Sequence, residues 1–110
     1  MKSNTLKENK DFRRLYYRGK SRADSTLVTY AMKSRIDNTR VGITSGKKIG
    51  NAVKRNRSRR VIRAAFHLLE PRLNGCWDIV FVARTKTPLV KMQEVYADME
   101  KQLKELGVIS

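Results

Sequence analysis

The feature that most constrains the fold is a helical pattern in the middle of the chain, bounded by a start and a stop signal. At about 100° per residue, one side of this helix carries Ile62, Ala65, Phe66 and Leu69. Asn51 is a suitable N-cap because its side chain can accept a bond from a free backbone N–H, and Pro71 marks the exit. The pattern therefore predicts a helix whose apolar stripe faces a core.

The other sides of the same helix are densely cationic. Its basic residues are Lys54, Arg55, Arg57, Arg59, Arg60 and Arg63. No Asp or Glu occurs from Asn38 to Leu69, and unpaired like charges one turn apart cost roughly 0.2–0.5 kcal/mol per pair. Arg55 and Ser58 interrupt the apolar stripe near its start. We therefore expect the first turns to project beyond the core, where a polyanion could neutralise them.

The distribution of charge along the chain favours a nucleic-acid partner. Residues 1–69 hold 19 Lys and Arg against 4 acids, and residues 70–110 hold 6 against 6, so the first part carries the whole net charge of +15. One surface is thus expected to meet a polyanion. Such charge density favours nucleic acid over a membrane surface or an acidic protein.

Length and composition bound the domain count and the compartment. A chain of 110 residues with 40% apolar content is expected to form one domain, 1–110, with 1–8 flexible until Leu6 can dock. Cys76 is the only cysteine, so no intrachain disulfide can form. No segment resembles a signal peptide or approaches the ~20 apolar residues of a membrane span. These features predict a cytoplasmic protein without a membrane partner.

A short helix is predicted near the N-terminus from the pattern NKDFRRLYYRG, with Asn9 as N-cap and Gly19 at the C′ position. Phe12, Leu15 and Tyr16 share one side of it. Leu15 is expected in the core. For Phe12 and Tyr16 the pattern leaves two interpretations open, which are core packing and stacking on unpaired bases between neighbouring cations.

The remaining segments predict strands and one further helix. A short strand before Asp24 is followed by TLVTYAM and RVGIT, and WDIVFVAR is apolar enough for a central strand covered on both faces. Thr87 as N-cap and Pro88 at the first position are predicted to begin a last helix that Gly107 ends. The order of elements predicts an α+β domain with helices packed on a small sheet.

The sequence contains no recognisable catalytic or metal-binding constellation. His67 is the only histidine and is expected to be structural or exposed, and Cys76 is expected to be a small buried residue beside Trp77. The segment GITSGKK from Gly42 to Lys48 is one residue short of a phosphate-binding loop and lacks its hydroxyl. We therefore predict no catalytic residue, no protein metal site and no small-molecule cofactor.

The run KKIGNAVKRNRSRRVIRAAF resembles the signature of the bacterial ribonuclease P protein family, approximately K-x-x-G-x-A-V-x-R-N-x-x-[KR]-R-x-x-R. The matching positions are Lys47, Gly50, Ala52, Val53, Arg55, Asn56, Arg59, Arg60 and Arg63. The resemblance extends to Asp11, Phe12, Tyr16 and Gly19 and to the strands TLVTY, RVGIT and WDIVFVAR, so it covers nearly the whole chain.

The resemblance implies a more detailed fold and a set of site residues. The fold would be an α-β-β-β-α-β-α two-layer sandwich with a four-stranded sheet and a left-handed βαβ crossover, related to a domain of a small-subunit ribosomal protein. A cleft between the first helix and the sheet would hold the single-stranded 5′ leader of precursor tRNA on Phe12, Tyr16 and Tyr30, which favours partial exposure of the first two. The residues implied to bind the RNA subunit are Lys47, Lys48, Arg55, Asn56, Arg57, Arg59, Arg60 and Arg63.

The resemblance also implies which subunit catalyses the reaction and which one assists substrate binding. The RNA subunit, with Mg²⁺, would cleave the precursor to leave the mature 5′ end of tRNA, and the protein would tighten substrate binding. The main alternative is a stand-alone RNA-binding or ribosome-associated protein. A protein-only nuclease would need metal-binding acids, and a helix-turn-helix DNA binder would need a second helix directly beside the basic one.

Overall fold

The computed structural model describes residues 3–110, which form an α+β fold of three α-helices and one mixed sheet. The elements in chain order are β1 (Asn4–Thr5), α1 (Asn9–Arg18), β2 (Lys20–Ala23), β3 (Leu27–Lys33), β4 (Arg40–Thr44), α2 (Ala52–Leu69), β5 (Trp77–Ala83) and α3 (Met92–Glu105). Single turns of 3₁₀ helix occur at Lys47–Ile49, Glu70–Arg72 and Thr87–Leu89. The predicted fold class is confirmed, and the elements after β1 follow in the predicted order.

The sheet has the strand order β1-β4-β5-β3-β2, with β5 at its centre. β4 runs parallel to both β1 and β5, whereas the pairs β3–β5 and β2–β3 are antiparallel. α2 therefore connects two parallel neighbours, β4 and β5. The left-handed sense of that connection stays a prediction.

The strand β1 is the difference from the four-stranded sheet that we expected. The backbone N–H groups of Asn4 and Leu6 donate to the carbonyls of Thr39 and Val41, each at 2.9 Å. Two exposed polar residues have no alternating apolar pattern, so the sequence holds no signal for this strand. Within the segment expected to be flexible, Leu6 is buried. Residues 1 and 2 lie outside the described part of the chain.

The main core lies between the sheet and the helices α2 and α3. Ile62 and Phe66 of α2 are completely buried, and the Phe66 ring packs on Phe81 of β5 with ring centroids 5.4 Å apart. Met99 and Leu103 complete this core from α3. The apolar stripe predicted for α2 is confirmed.

The short helix α1 covers part of the opposite face of the sheet, through a smaller core of Leu6, Leu15 and Val80. Phe12 and Tyr30 pack at the margin of this core. Alternation along β5 explains the division, since Val80 faces α1 while its neighbours Ile79 and Phe81 face α2 and α3. The sheet thus has helices on both faces, where we expected two layers.

The last helix begins later than its sequence signals indicated, at Met92 instead of Pro88. The Thr87 hydroxyl is completely buried and donates to the carbonyl of Thr26, and it accepts from the Arg84 N–H at 2.8 Å. It is therefore occupied in joining two loops and does not cap a helix. Gly107 follows the end of α3 with φ 80°, as predicted.

No helix within residues 3–110 combines the length and the apolar character needed to cross a membrane.

Candidate nucleic-acid interface

The N-terminus of α2 is built by a turn that only glycine can complete. Gly50 has φ 129°, a conformation that side-chain-bearing residues rarely adopt, and it joins the Lys47–Ile49 turn to the helix. The Asn51 side chain then accepts from the Lys54 N–H at 3.0 Å, which confirms the predicted N-cap. Lys47 and Lys48 are exposed just before this helix start. The arrangement groups cations with free backbone N–H groups, which suits an anion.

Most of the predicted RNA-binding side chains on α2 are exposed. They are Asn56, Arg57, Arg59, Arg60 and Arg63. Within the described part of the chain, none of the ion pairs involves an α2 residue. The positive charge of this helix is thus left without protein carboxylates. Its role in RNA binding stays a prediction.

Two arginines at the start of α2 make contacts within the protein. Arg55 is half-buried, and its Nη1 donates to the Gly50 carbonyl at 3.4 Å. Arg57 donates from Nε to the Pro88 carbonyl at 2.9 Å, which ties α2 to the loop before α3. Ser58 is completely buried and donates to the Lys54 carbonyl, so the first turns project less than we expected. A small hydroxyl that bonds to its own helix can be buried at little cost.

The predicted leader-binding aromatics lie together between α1 and the sheet. The centroids of the Tyr16 and Tyr30 rings are 4.9 Å apart in an edge-to-face arrangement, and Phe12 lies 6.5 Å from Tyr16. Tyr16 is 42% exposed, and Phe12 and Tyr30 are half-buried. This is the partial exposure that the resemblance favours, and it leaves ring surface available for stacking.

A small cavity joins the aromatic cluster to α2. It has a volume of about 270 Å³, and its walls include Phe12, Ile43, Arg59 and Arg63. Two α2 arginines that were assigned to the RNA subunit therefore stand beside the first aromatic of the cleft. The sequence alone does not indicate this proximity, because α1 and α2 are distant along the chain.

A buried charge cluster that the sequence analysis missed holds α1 against the sheet. Asp78 is completely buried in β5, where its carboxylate accepts from Arg40 Nη2 at 2.8 Å and from Arg14 Nη2 at 3.0 Å. Arg40 also lies 3.3 Å from Asp11 of α1. The hydrogen bond that Arg40 donates to the Asp78 carboxylate raises the pKa of the Arg40 guanidinium, against the opposing effect of burial. The sequence did contain a signal for this cluster, namely the acidic residue Asp78 within the apolar run WDIVFVAR. A carboxylate buried in a central strand requires a cationic or hydrogen-bonding partner.

Other titratable groups are placed as follows. His67 is exposed on α2. Cys76 is half-buried, with Sγ 3.9 Å from Asp37 Oδ1, and so is less buried than we expected. Among residues 3–110, no three His, Cys, Asp or Glu side chains are grouped closely enough to hold a metal ion.

Comparison with known proteins identifies the family. The family model described as Ribonuclease P matches residues 1–107. This chain belongs to the ribonuclease P protein family. The predicted role as protein subunit of this ribonucleoprotein in tRNA processing is confirmed at that level, and an RNA partner follows from it.

Individual members of the ribonuclease P family align along nearly the whole chain. The ribonuclease P protein component of Clostridioides difficile is 39% identical, over 92% of this chain and 86% of its own length. The Staphylococcus aureus RNase P protein structure is similar with a TM-score of 0.86 and 34% identity, covering 99% of this chain and 100% of that one. For the Thermotoga maritima RNase P protein the TM-score is 0.78 at 27% identity, with coverage of 97% and 98%.

Proposed function

We propose that this protein binds the ribonuclease P RNA through α2 and the turn before it, and the 5′ leader of precursor tRNA through the aromatic cluster. The observation that carries the proposal is the pairing of two different RNA-compatible surfaces in one small domain. One is a cationic helix without protein carboxylates, and the other is a group of partly exposed rings beside it. The first suits phosphates and the second suits unpaired bases.

The α2 surface fits a structured RNA because its charges are fixed in position. The helix is capped by Asn51 and buried along Ile62 and Phe66, so its arginines project from a rigid support. Arginine side chains bind phosphate oxygens in a fork geometry that lysine cannot reproduce. A helix of this kind can lie along RNA backbones with little loss of conformational freedom.

The aromatic cluster fits a single strand because unpaired bases can stack on its exposed ring surfaces. It offers no set of hydrogen-bonding groups that would select one base. Stacking on aromatic rings tolerates any base, as binding of leaders with different sequences would require. Arg59 and Arg63, which share a cavity with Phe12, are positioned to neutralise phosphates of a strand that enters the cluster.

In this proposal the protein does not carry out the chemistry. Hydrolysis is assigned to the RNA subunit with Mg²⁺, as the resemblance implies, and the reaction is assigned to the cytoplasm. The protein's contribution is to hold the leader and to reduce phosphate repulsion, so that the RNA subunit fills its metal sites at lower Mg²⁺ concentration.

The direct test is cleavage of a leader-bearing precursor tRNA at low Mg²⁺, with bacterial ribonuclease P RNA, with this protein, and with both. We expect cleavage at the mature 5′ end only when both are present. If the protein binds RNA without changing cleavage, a stand-alone RNA-binding role replaces the proposal. Cleavage by the protein alone would contradict the assignment of the chemistry to RNA.

A further inference from the structure

A second basic and aromatic surface lies on the outer side of α1. It is a groove with a volume of about 670 Å³, whose lining includes Arg13, Arg18, Arg35, Tyr16 and Tyr17. No carboxylate is among the residues that line it. We call it the outer groove. Neither the resemblance nor the two surfaces described above assigns it a role.

Several of its charges are free to meet a ligand. Arg14 is used by Asp78 and Lys10 lies 3.3 Å from Glu8, but Arg13, Arg18 and Arg35 take part in no ion pair within residues 3–110. Uncompensated cations in one groove repel one another, and a polyanion would remove that cost.

Tyr17 adds an aromatic ring to this charged surface. It is 90% exposed, the highest exposure among the large apolar side chains described. Arg13 lies one turn earlier on the same side of α1, and both residues line the outer groove. Alternating rings and cations are the pattern by which proteins hold single-stranded nucleic acid.

The outer groove is continuous with the aromatic cluster through Tyr16. The Tyr16 ring lines the groove and also packs against Tyr30 in the cluster. At the other end of the cluster, Phe12 lines the cavity shared with Arg59 and Arg63. The order along this path is therefore α2 arginines, Phe12, Tyr16, and then Tyr17 with its neighbouring arginines.

We propose that the outer groove binds the part of the leader farthest from the cleavage site, with Tyr17 stacking on a base and Arg13, Arg18 and Arg35 contacting phosphates. This inference rests on the proposed function, because it continues the strand from the aromatic cluster. It makes leader binding depend on length: a short leader ends within the cluster, and a longer one gains contacts on α1.

The test measures dissociation constants of precursor tRNAs whose leaders are extended one nucleotide at a time, using the complex of ribonuclease P RNA with the full chain. For Tyr17→Ala we expect affinity equal to the parent protein for short leaders and roughly five-fold weaker for long ones, the lower end of base stacking. Arg35→Ala should lower the salt slope by about 0.7 for long leaders alone.

Two matched variants make the result specific. Leu89→Ala removes another large exposed side chain, 71% exposed before α3, and Lys104→Ala removes an exposed cation of α3. Both should bind every leader as the parent does. The high exposure of Tyr17 makes its replacement compatible with folding, which an unfolding curve verifies.

The possible outcomes separate this inference from the proposed function. If Tyr17→Ala binds all leaders as the parent does while Phe12→Ala binds them more weakly, the outer groove has no role in leader binding. The aromatic cluster would then keep its proposed role. If Tyr17→Ala lowers the affinity for leaderless tRNA as much as the affinity for leader-bearing tRNA, the inference is also overturned. If the parent complex binds leaderless and leader-bearing tRNA equally, this inference and the leader-binding part of the proposed function are both wrong, while binding of the RNA subunit through α2 is judged by its own salt titration.

Discussion

Gly42 of β4 lies where the Phe12 side chain of α1 closely approaches the sheet. A Cβ added there would lie 2.6 Å from the Phe12 ring and 3.3 Å from Leu6. At position 42 the glycine is therefore required by space, not by a left-handed backbone. Phe12 owes its position over the strand to this missing side chain.

Replacing Gly42 with alanine should consequently destabilise the fold and displace Phe12. We expect a loss of about 1–3 kcal/mol in the free energy of unfolding, the usual cost of an overpacked core. Chemical denaturation measures it. Gly46→Ala is the matched control, since a Cβ at Gly46 meets nothing within 4 Å. Equal stability of the two variants would contradict the close approach of Phe12.

Phe12 also permits a residue-scale test of leader binding. Phe12→Ala is expected to weaken binding of leader-bearing precursor by roughly 1–3 kcal/mol and to leave binding of leaderless tRNA nearly unchanged. Titration of the reconstituted complex with both substrates gives the comparison. Equal losses for both would mean that Phe12 acts as a core residue only.

At the scale of elements, α1 is held by charge as much as by apolar contact. It contributes few buried apolar residues, and Asp11 and Arg14 connect it to Arg40 and Asp78 of the sheet. A buried cluster of this kind is costly to break from one side because the remaining charges lose their partner. The spacing between α1 and the sheet, and with it the cleft, depends on these four side chains.

Asp78→Asn tests this dependence. Arg14 and Arg40 would lose their shared carboxylate, and we expect about 3 kcal/mol lower stability, the lower end for buried pairs because the arginines are partly exposed. Denaturant unfolding measures the loss. Asp37→Asn, at an exposed position in the loop before β4, should stay within about 0.5 kcal/mol of the parent. An unaltered stability of Asp78→Asn would show that apolar packing alone holds α1.

The helix α2 is the element on which assembly with RNA should depend. Arg60→Ala or Arg63→Ala is expected to weaken binding to ribonuclease P RNA and to reduce the slope of log affinity against log salt by about 0.7–0.9 for each lost phosphate contact. A salt titration gives the slope, with Lys104→Ala on α3 as control. An unchanged slope for Arg60→Ala would remove that residue from the interface.

For the whole molecule, the sheet separates the outer side of α1 from most of α2. Tyr16 lies on the α1 side, whereas Arg60 lines grooves with α2 residues and Met92 of α3. The two surfaces should therefore act independently, one on the leader and one on the RNA subunit. Arg59 and Arg63 are the exceptions, because they share a cavity with Phe12.

Independence predicts additivity. The losses caused by Tyr16→Ala and Arg60→Ala, measured as binding of the protein to ribonuclease P RNA that already holds leader-bearing precursor, should sum in the double variant to within about 0.3–0.5 kcal/mol. Phe12 and Arg63 line one cavity, so the losses caused by Phe12→Ala and Arg63→Ala should depart from additivity by more than that. If the departure from additivity for Tyr16 and Arg60 is as large as that for Phe12 and Arg63, the two surfaces do not act separately.

Local physics explains what the sequence by itself determined. The helix α2, its cap Asn51, its apolar stripe and its unpaired cations follow from helical periodicity and short-range hydrogen bonding, which nearby residues specify. The burial of β5 follows from a continuous apolar run. The family signature lies in the same segment as α2, so this segment was enough to predict the function.

Tertiary structure alone decided the features that depend on residues distant in sequence. Thr87 bonds to the Thr26 carbonyl, so α3 starts later than its local signals indicate, and β1 forms through backbone bonds that leave no side-chain pattern. Asp78 finds Arg14 and Arg40 only when α1 docks on the sheet. The juxtaposition of Phe12 with the α2 arginines arises in the same way, because spatial proximity between distant segments is set by packing and not by local propensity.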